Sequence, residues 1–275
     1  MTTDRLLRDA GATLEVTAYV DGTGTDADGA VTVTVKKADG TTLSTGAATA
    51  PGAGVYRYTL APQANLNFLT VTWAGVWSGV ANTLTSYAEL VGRHLFSEAE
   101  FRAFSPALAS ATNYPDAAIA NARAQVTDLI ESHTGVSWVP RFRRHTLYRG
   151  PSGVRLQLPN AEVTSILSAS VDDTAFDATE LADIELDGRH AVSGGTYWHL
   201  GTVVEYEHGY AHDRDGVGRI AMLWAKKLLV PTGIADSATS YTNELGTTSY
   251  APFAPSGVRE VDAWLAAHRA ILGSS

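Results

Sequence analysis

Residues 31–43 read VTVTVKKADGTTL, and this stretch decides the fold of the first third of the chain. Val31, Val33 and Val35 alternate with Thr32 and Thr34, a period of two that sets β-branched side chains on one face of a strand and hydroxyls on the other. Asp39-Gly40 follows. Glycine tolerates the positive φ that a tight hairpin demands, so the chain is expected to turn there and return through Thr42-Leu43. The same texture extends in both directions. Upstream, Thr13–Asp21 (TLEVTAYVD) alternates with Leu14, Val16, Ala18 and Val20 on one face. Downstream, strands are expected at Gly54–Leu60, Asn67–Trp73 and Val80–Glu89. The runs are separated by turn signals such as Asp21-Gly22, Asp28-Gly29 and Pro51-Gly52. Six or seven short strands without a helix define an antiparallel β-sandwich over residues 1–92.

From Arg93 the texture changes. Ser97-Glu-Ala-Glu100 is a capping box that opens a short helix. Asp116 is expected to cap a longer helix with Ile119, Ala122, Val126, Leu129 and Ile130 on one stripe, ended by Gly135 in the left-handed conformation. Strands follow at about Phe142–Arg149, Val154–Leu158, Val163–Val171, Ile184–Leu186 and Thr202–His208. A third helix runs from about Asp215 to Val230 and stops at Pro231. A last one runs from about Ser256 to Leu272, with Val258, Val261, Trp264, Leu265, His268 and Leu272 as its stripe. Helices, then strands, then helices is α+β segregation over residues 93–275, helices packed with an inserted β region.

Composition excludes several classes. Twenty Lys and Arg against twenty-nine Asp and Glu give −9, which argues against a nucleic-acid binder working through a broad basic face. The lack of cysteine removes disulfide scaffolds, iron–sulfur clusters, Cys-ligated zinc and thiol nucleophiles. The longest compact apolar run, Ile220–Ala225, has six residues where a membrane span needs about 20. No basic segment followed by an apolar one opens the chain, so a soluble protein made without export, with no membrane partner, is expected. Residues 1–92 carry a net −3, read as a mildly acidic, solvated surface.

The chemical motifs are thin. Glu207-His208 and His212 suggest a metal cluster, but Gly209 interrupts them and Glu207 precedes both histidines, so no metal site is expected. Gly216-Val-Gly218-Arg-Ile-Ala221 mimics a dinucleotide fingerprint, yet a loop of several residues separates it from the preceding strand. No G-x-S-x-G elbow is present, and Asp172-Asp173 and Asp183/Glu185/Asp187 read as solvated carboxylates. No catalytic residue and no cofactor are expected.

Two segments point instead to contacts. Arg141, Arg143 and Arg144, with Phe142 and Tyr148 interleaved, form a basic strand; it reads either as an edge guarded by charge or as a surface for an acidic protein partner. Alternation sends Arg141, Arg143 and His145 to one face and Phe142, Arg144 and Thr146 to the other, which weakens any grip on DNA. The polar stretch Thr239–Pro255 is long for a loop and carries Tyr241, Tyr250 and Phe253, aromatic anchors of the interface type. Trp264 completes the set of interface candidates.

Laid end to end, residues 96–275 resemble the head–tail connector (adaptor) family of long-tailed bacteriophages. The segments are FSEAEFRAF, NYPDAAIANARAQVTDLIESHTGVSW, PRFRRHTLYRG, LPNAEVTSILSASVDDTAFD, TVVEYEHGYAHDRDGVGRIAMLWAKKLL and ELGTTSYAPFAPSGVREVDAWLAAHR, in that order. Val217-Gly218 stands where the family usually has a proline. Residues 1–92 resemble the immunoglobulin-like modules attached to phage virion proteins, through VTVTVKKADGTTL, GVYRYTL and LTVTWAG. The resemblance implies a homo-oligomeric ring, typically of twelve copies, below the portal protein and above a stopper or tail-terminator. DNA then passes through its lumen without specific binding. It implies residence in the virion neck after synthesis in the host cytoplasm. A competing expectation is a surface adhesin or carbohydrate-binding module, resting on exposure of Trp73 and Trp77; a glycan hydrolase would rest on the scattered carboxylates and histidines alone.

Overall fold

The VTVTVKK and TTL segments form the expected hairpin: Lys37 N–H donates to the Thr41 carbonyl at 2.9 Å and Gly40 sits at φ 86°. Asp39 braces the turn by accepting from the Thr41 amide (2.8 Å) and hydroxyl (2.6 Å), which holds its carboxyl below the usual carboxylate range. The computed structural model describes residues 3–148, 153–187, 190–193, 198–230, 240–243, 246–249 and 255–269. Its architecture is mostly β, in several sheets, with some helices. Packing divides the chain into two units, residues 1–93 with 140–209, and residues 94–139 with 210–275.

The first unit begins with ten strands: β1 (Asp4–Leu7), β2 (Ala12–Thr17), β3 (Tyr19–Val20), β4 (Thr23–Gly24), β5 (Thr32–Lys36), β6 (Thr42–Ala47), β7 (Thr49–Gly52), β8 (Val55–Leu60), β9 (Asn67–Trp77) and β10 (Val80–Val91). A five-stranded sheet runs β1-β10-β9-β5-β6, with β1 parallel to β10, and a three-stranded sheet runs β2-β8-β7. Alternation decides the core. Val33, Val35, Leu69, Val71 and Trp73 from the larger sheet meet Leu14, Tyr56 and Leu60 from the smaller.

The same unit continues with β11 (Arg141–Thr146), β12 (Arg155–Gln157), β13 (Val163–Val171), β14 (Thr174–Ala175), a short helix at Ala178–Ala182, β15 (Ile184–Asp187), β16 (His190–Ser193) and β17 (Val203–His208). Strands β11-β17-β13-β14 make a four-stranded sheet and β12-β16-β15 a three-stranded one. Val204, Tyr206, Leu156, Leu158, Ala191 and Trp198 share a second core, with Phe176 stacked on Trp198 at 5.4 Å. The alternation did not announce β14, β16 or the Ala178–Ala182 helix, which are too short for periodicity to register.

The second unit holds α1 (Glu98–Phe104), α2 (Asp116–Thr134), the hairpin β18 (Ser240–Asn243) and β19 (Gly246–Ser249), and two later helices. Numbered in chain order, the Ala178–Ala182 helix is α3, and the later two are α4 (Val217–Leu229) and α5 (Arg259–His268). The Ser97/Glu100 capping box opens α1, and Gly135 closes α2 at φ 68°. Asp116 is not the cap of α2. Pro115 occupies that position, and the Asp116 carboxylate takes the Arg102 guanidinium, which also donates to the Tyr114 carbonyl at 2.8 Å. The third helix, expected from about Asp215, begins at Val217: Gly216 precedes it in the left-handed conformation, and Asp213 accepts the Gly218 amide at 3.1 Å. Within Thr239–Pro255, expected to be a loop, the backbone of 240–243 and 246–249 forms a two-stranded ladder.

Phe101, Ile119, Val126, Ile130, Trp138, Ile220, Trp224, Val261 and Leu265 form the core of this unit. Val261 and Leu265 are the buried pair of α5. Leu265→Ala therefore empties a closed site and is expected to lower stability by about 3 kcal/mol, read from urea unfolding monitored by tryptophan fluorescence. A loss under about 1 kcal/mol would mean that α5 does not seal this core.

Candidate interface surface

The basic strand β11 lies at one edge of the four-stranded sheet, paired with β17 in the register Arg141↔His208, Arg143↔Tyr206 and Arg144↔Glu205. Its three arginines do three different things. Arg141 reaches back to the sandwich, its Nη1 lying 3.4 Å from Glu89 Oε2. The same carboxylate oxygen is approached by Arg5 Nε at 3.7 Å. Arg144 pairs with Glu205, whose other oxygen accepts from Ser168 Oγ at 3.0 Å. Arg143 is exposed and has no ion pair among the described residues.

Glu89 is the exception to the solvated acidic surface of residues 1–92, whose other seven acidic residues are exposed. Glu89 is 8% exposed, held between guanidiniums of β1 and β11. Arg8 adds a second tie, Nη1 to Glu207 Oε2 at 3.5 Å. The backbone closes the same junction: Gly92 N–H donates to the Pro140 carbonyl at 2.9 Å, and a Cβ on Gly92 would stand 2.7 Å from the Pro140 ring. None of this was readable locally, because each partner is distant in sequence.

Behind Arg141 and Arg143 lies His208, on the central strand and 3% exposed, with its Nδ1 making no hydrogen bond among the described residues. Burial, then the Arg141 and Arg143 charges, push its pKa down to about 4. Neighbouring Tyr206 donates to Asn160 Oδ1 at 2.7 Å, and its burial pushes its pKa up to about 12. His145 is likewise lowered, by burial and then by Arg143. The Glu207/His208/His212 motif thus resolves into an ion-paired carboxylate and a buried neutral imidazole. Among the described residues no group of three or more His, Asp or Glu is placed to hold a metal.

The remaining sequence candidates separate. Trp264 lies in the second unit, half-buried, stacked on His268 at 4.1 Å and packed on Trp138 at 5.0 Å, with its indole N–H donating to the Asp215 carbonyl at 2.9 Å. The backbone of Tyr241 lies in β18, but its side chain, and all of Tyr250 and Phe253, fall outside the described residues. The glycines of the dinucleotide-like motif have structural duties: Gly216 takes φ 68°, and a Cβ on Gly218 would meet the Leu95 carbonyl at 2.7 Å. Trp73 and Trp77 are 0% and 4% exposed and belong to the sandwich core, which removes the platform on which the adhesin expectation rested. Among the described residues no helix is long and apolar enough to cross a membrane.

No family model matches the chain, and no curated protein matches it. Among solved structures, an engineered protein is similar at a TM-score of 0.26 and 25% identity, covering 32% of this chain and 18% of that one. The neck of an empty GTA particle, computed with C6 symmetry, is similar at a TM-score of 0.39 and 18% identity, covering 52% of this chain and 83% of that one. The chain spans less than a fifth of the engineered protein's length. At these scores neither likeness defines the fold.

Two outcomes follow from the junction. Glu89→Ala leaves two guanidiniums facing each other without their carboxylate, and is expected to lower the unfolding free energy by about 3 kcal/mol; an unchanged urea midpoint would show the network to be idle. For His208, the unfolded chain takes up a proton near pH 6.5, whereas the folded unit resists it until about pH 4. Stability is therefore complete above pH 6.5 and falls as pH drops toward 4, by about 3 kcal/mol over that interval. Urea midpoints measured at about pH 7 and about pH 4.5 check this, with His208→Leu expected to remove that share of the fall.

Proposed function

We propose that the chain is a structural virion protein, a head–tail connector (adaptor) of the long-tailed phage kind carrying an N-terminal immunoglobulin-like module. It assembles as a ring, with twelve copies as the working number, below the portal protein. A stopper or tail-terminator binds the other side. The ring joins capsid to tail at the virion neck and leaves a channel for the genome. In chain order, residues 1–92 are the appended module and 93–275 the connector domain. The protein performs no bond-making and needs no cofactor.

The observation that supports this reading best is an ordered one. FSEAEFRAF forms a capped helix, and DAAIANARAQVTDLIESHT a long one closed by Gly135. RFRRHT is a strand, and VTSILSASV is a strand turning at Asp172-Asp173. VVEYEH is a strand that leads through Gly209-Tyr210 into the helix VGRIAMLWAKKLL. REVDAWLAAH is the final described helix. These helices and strands follow one another in the order the resemblance implies, which supports the reading. The acidic balance of −9 also suits a channel wall, since carboxylates facing a lumen repel phosphates and let DNA slide without being held.

Negative-stain imaging of the purified chain mixed with a portal protein tests the reading. Rings capping the portal are expected. A chain that leaves the portal bare and instead retains a polysaccharide would sink it.

A further inference from the structure

The charges of the inserted β region are segregated along the chain. From Arg141 to Arg155 there are five arginines and no acidic residue; between Arg155 and Arg189 there are eight acidic residues and no Lys or Arg. The fold keeps them apart. The basic segment opens with β11 and the acidic one passes through β14, and these are the two opposite edges of one four-stranded sheet. Three inter-strand spacings put those edges about 14 Å apart.

Internal pairing leaves a surplus of each sign. On β11, Glu89 takes Arg141 and Glu205 takes Arg144, while Arg143 stays exposed without an ion pair among the described residues. Tyr148, two residues beyond the strand, is 81% exposed. On the acidic side, Asp172 approaches His199 and Asp187 pairs with Arg155. Asp173, Asp183 and Glu185 are exposed and have no ion pair among the described residues. Arginine and tyrosine are the residue types that most often anchor interfaces.

We propose that the β11 edge of one copy, through Arg143 and Tyr148, docks against the acidic β14–α3–β15 segment of a second copy, through Asp173, Asp183 and Glu185. Two like edges repel, so the contact cannot be a self-complementary pairing of the same patch. Each contact therefore joins unlike patches, and made once per pair of copies it is head-to-tail, the kind that builds a ring when the rotation closes. This inference rests on the ring reading above and adds the surfaces that meet.

Sedimentation velocity on the full chain tests it. Self-association is expected in low salt and lost at about 1 M salt, where charges are screened beyond about 3 Å. Arg143→Glu alone, and Asp173→Lys/Asp183→Lys/Glu185→Lys alone, should each weaken association about tenfold or more, with unchanged circular dichroism. Mixing the two variants should restore it, because each then presents the charge the other needs. Association that ignores salt and both variants, or a mixture that stays dissociated, overturns this contact while rings on the portal would keep the ring reading. A wild-type chain that remains monomeric in low salt also overturns the contact, and the portal mixture then decides the ring reading separately.

Discussion

A single carboxylate ties the sandwich to the strand β11 within the first unit. Glu89 sits near the end of the last sandwich strand with Arg5 beside it on β1 and Arg141 reaching it from β11. Burying a charge costs several kcal/mol in lost hydration, and only a close opposite charge offsets that. The arrangement is therefore selective more than it is strong, because a slip of β11 by one residue would bring Phe142 to the carboxylate in place of a guanidinium. Arg8–Glu207 repeats the same choice at the neighbouring strand. Gly92 and Pro140 meet at the same junction, so the chain leaves for residues 94–139 and returns at one point.

That junction marks the limit of what the sequence disclosed. Val31, Val33, Val35, Leu69, Val71 and Trp73 were legible as a buried face because a strand's period is fixed by its backbone. The Ser97 box and Gly135 were legible because helix ends have local chemistry. Asp116 was misread for a related reason: a carboxylate in a first turn satisfies the helix dipole wherever its oxygens point, and here they point to Arg102. Glu89 had no local signal at all. On alternation it is one more polar residue in a strand, and only partners far along the chain bury it.

The candidate surface was half legible. Arg141, Arg143 and Arg144 declared themselves as a basic strand, and the structure makes it an edge strand. Alternation grouped Arg141 with Arg143 and set Arg144 apart, yet the division that matters is different. Arg141 and Arg144 are neutralised inside the unit, and Arg143 is not. Pairing depends on which acid the tertiary fold brings near, and that information is not in the strand.

The same distinction governs how a chain with net −9 presents itself. Net charge sets solubility and the long-range field, but short-range recognition depends on the charges left over after internal pairing. Among the described residues of the inserted β region, that remainder includes Arg143 on one edge strand and Asp173 beside the other, with Asp183 and Glu185 on the segment that follows. A sheet fixes the separation of its edges through its hydrogen-bond spacing, so Arg143 on β11 and Asp173 beside β14 are kept apart within one molecule. Exposed charges held apart in this way stay available to a partner, which is the premise of the contact proposed between copies.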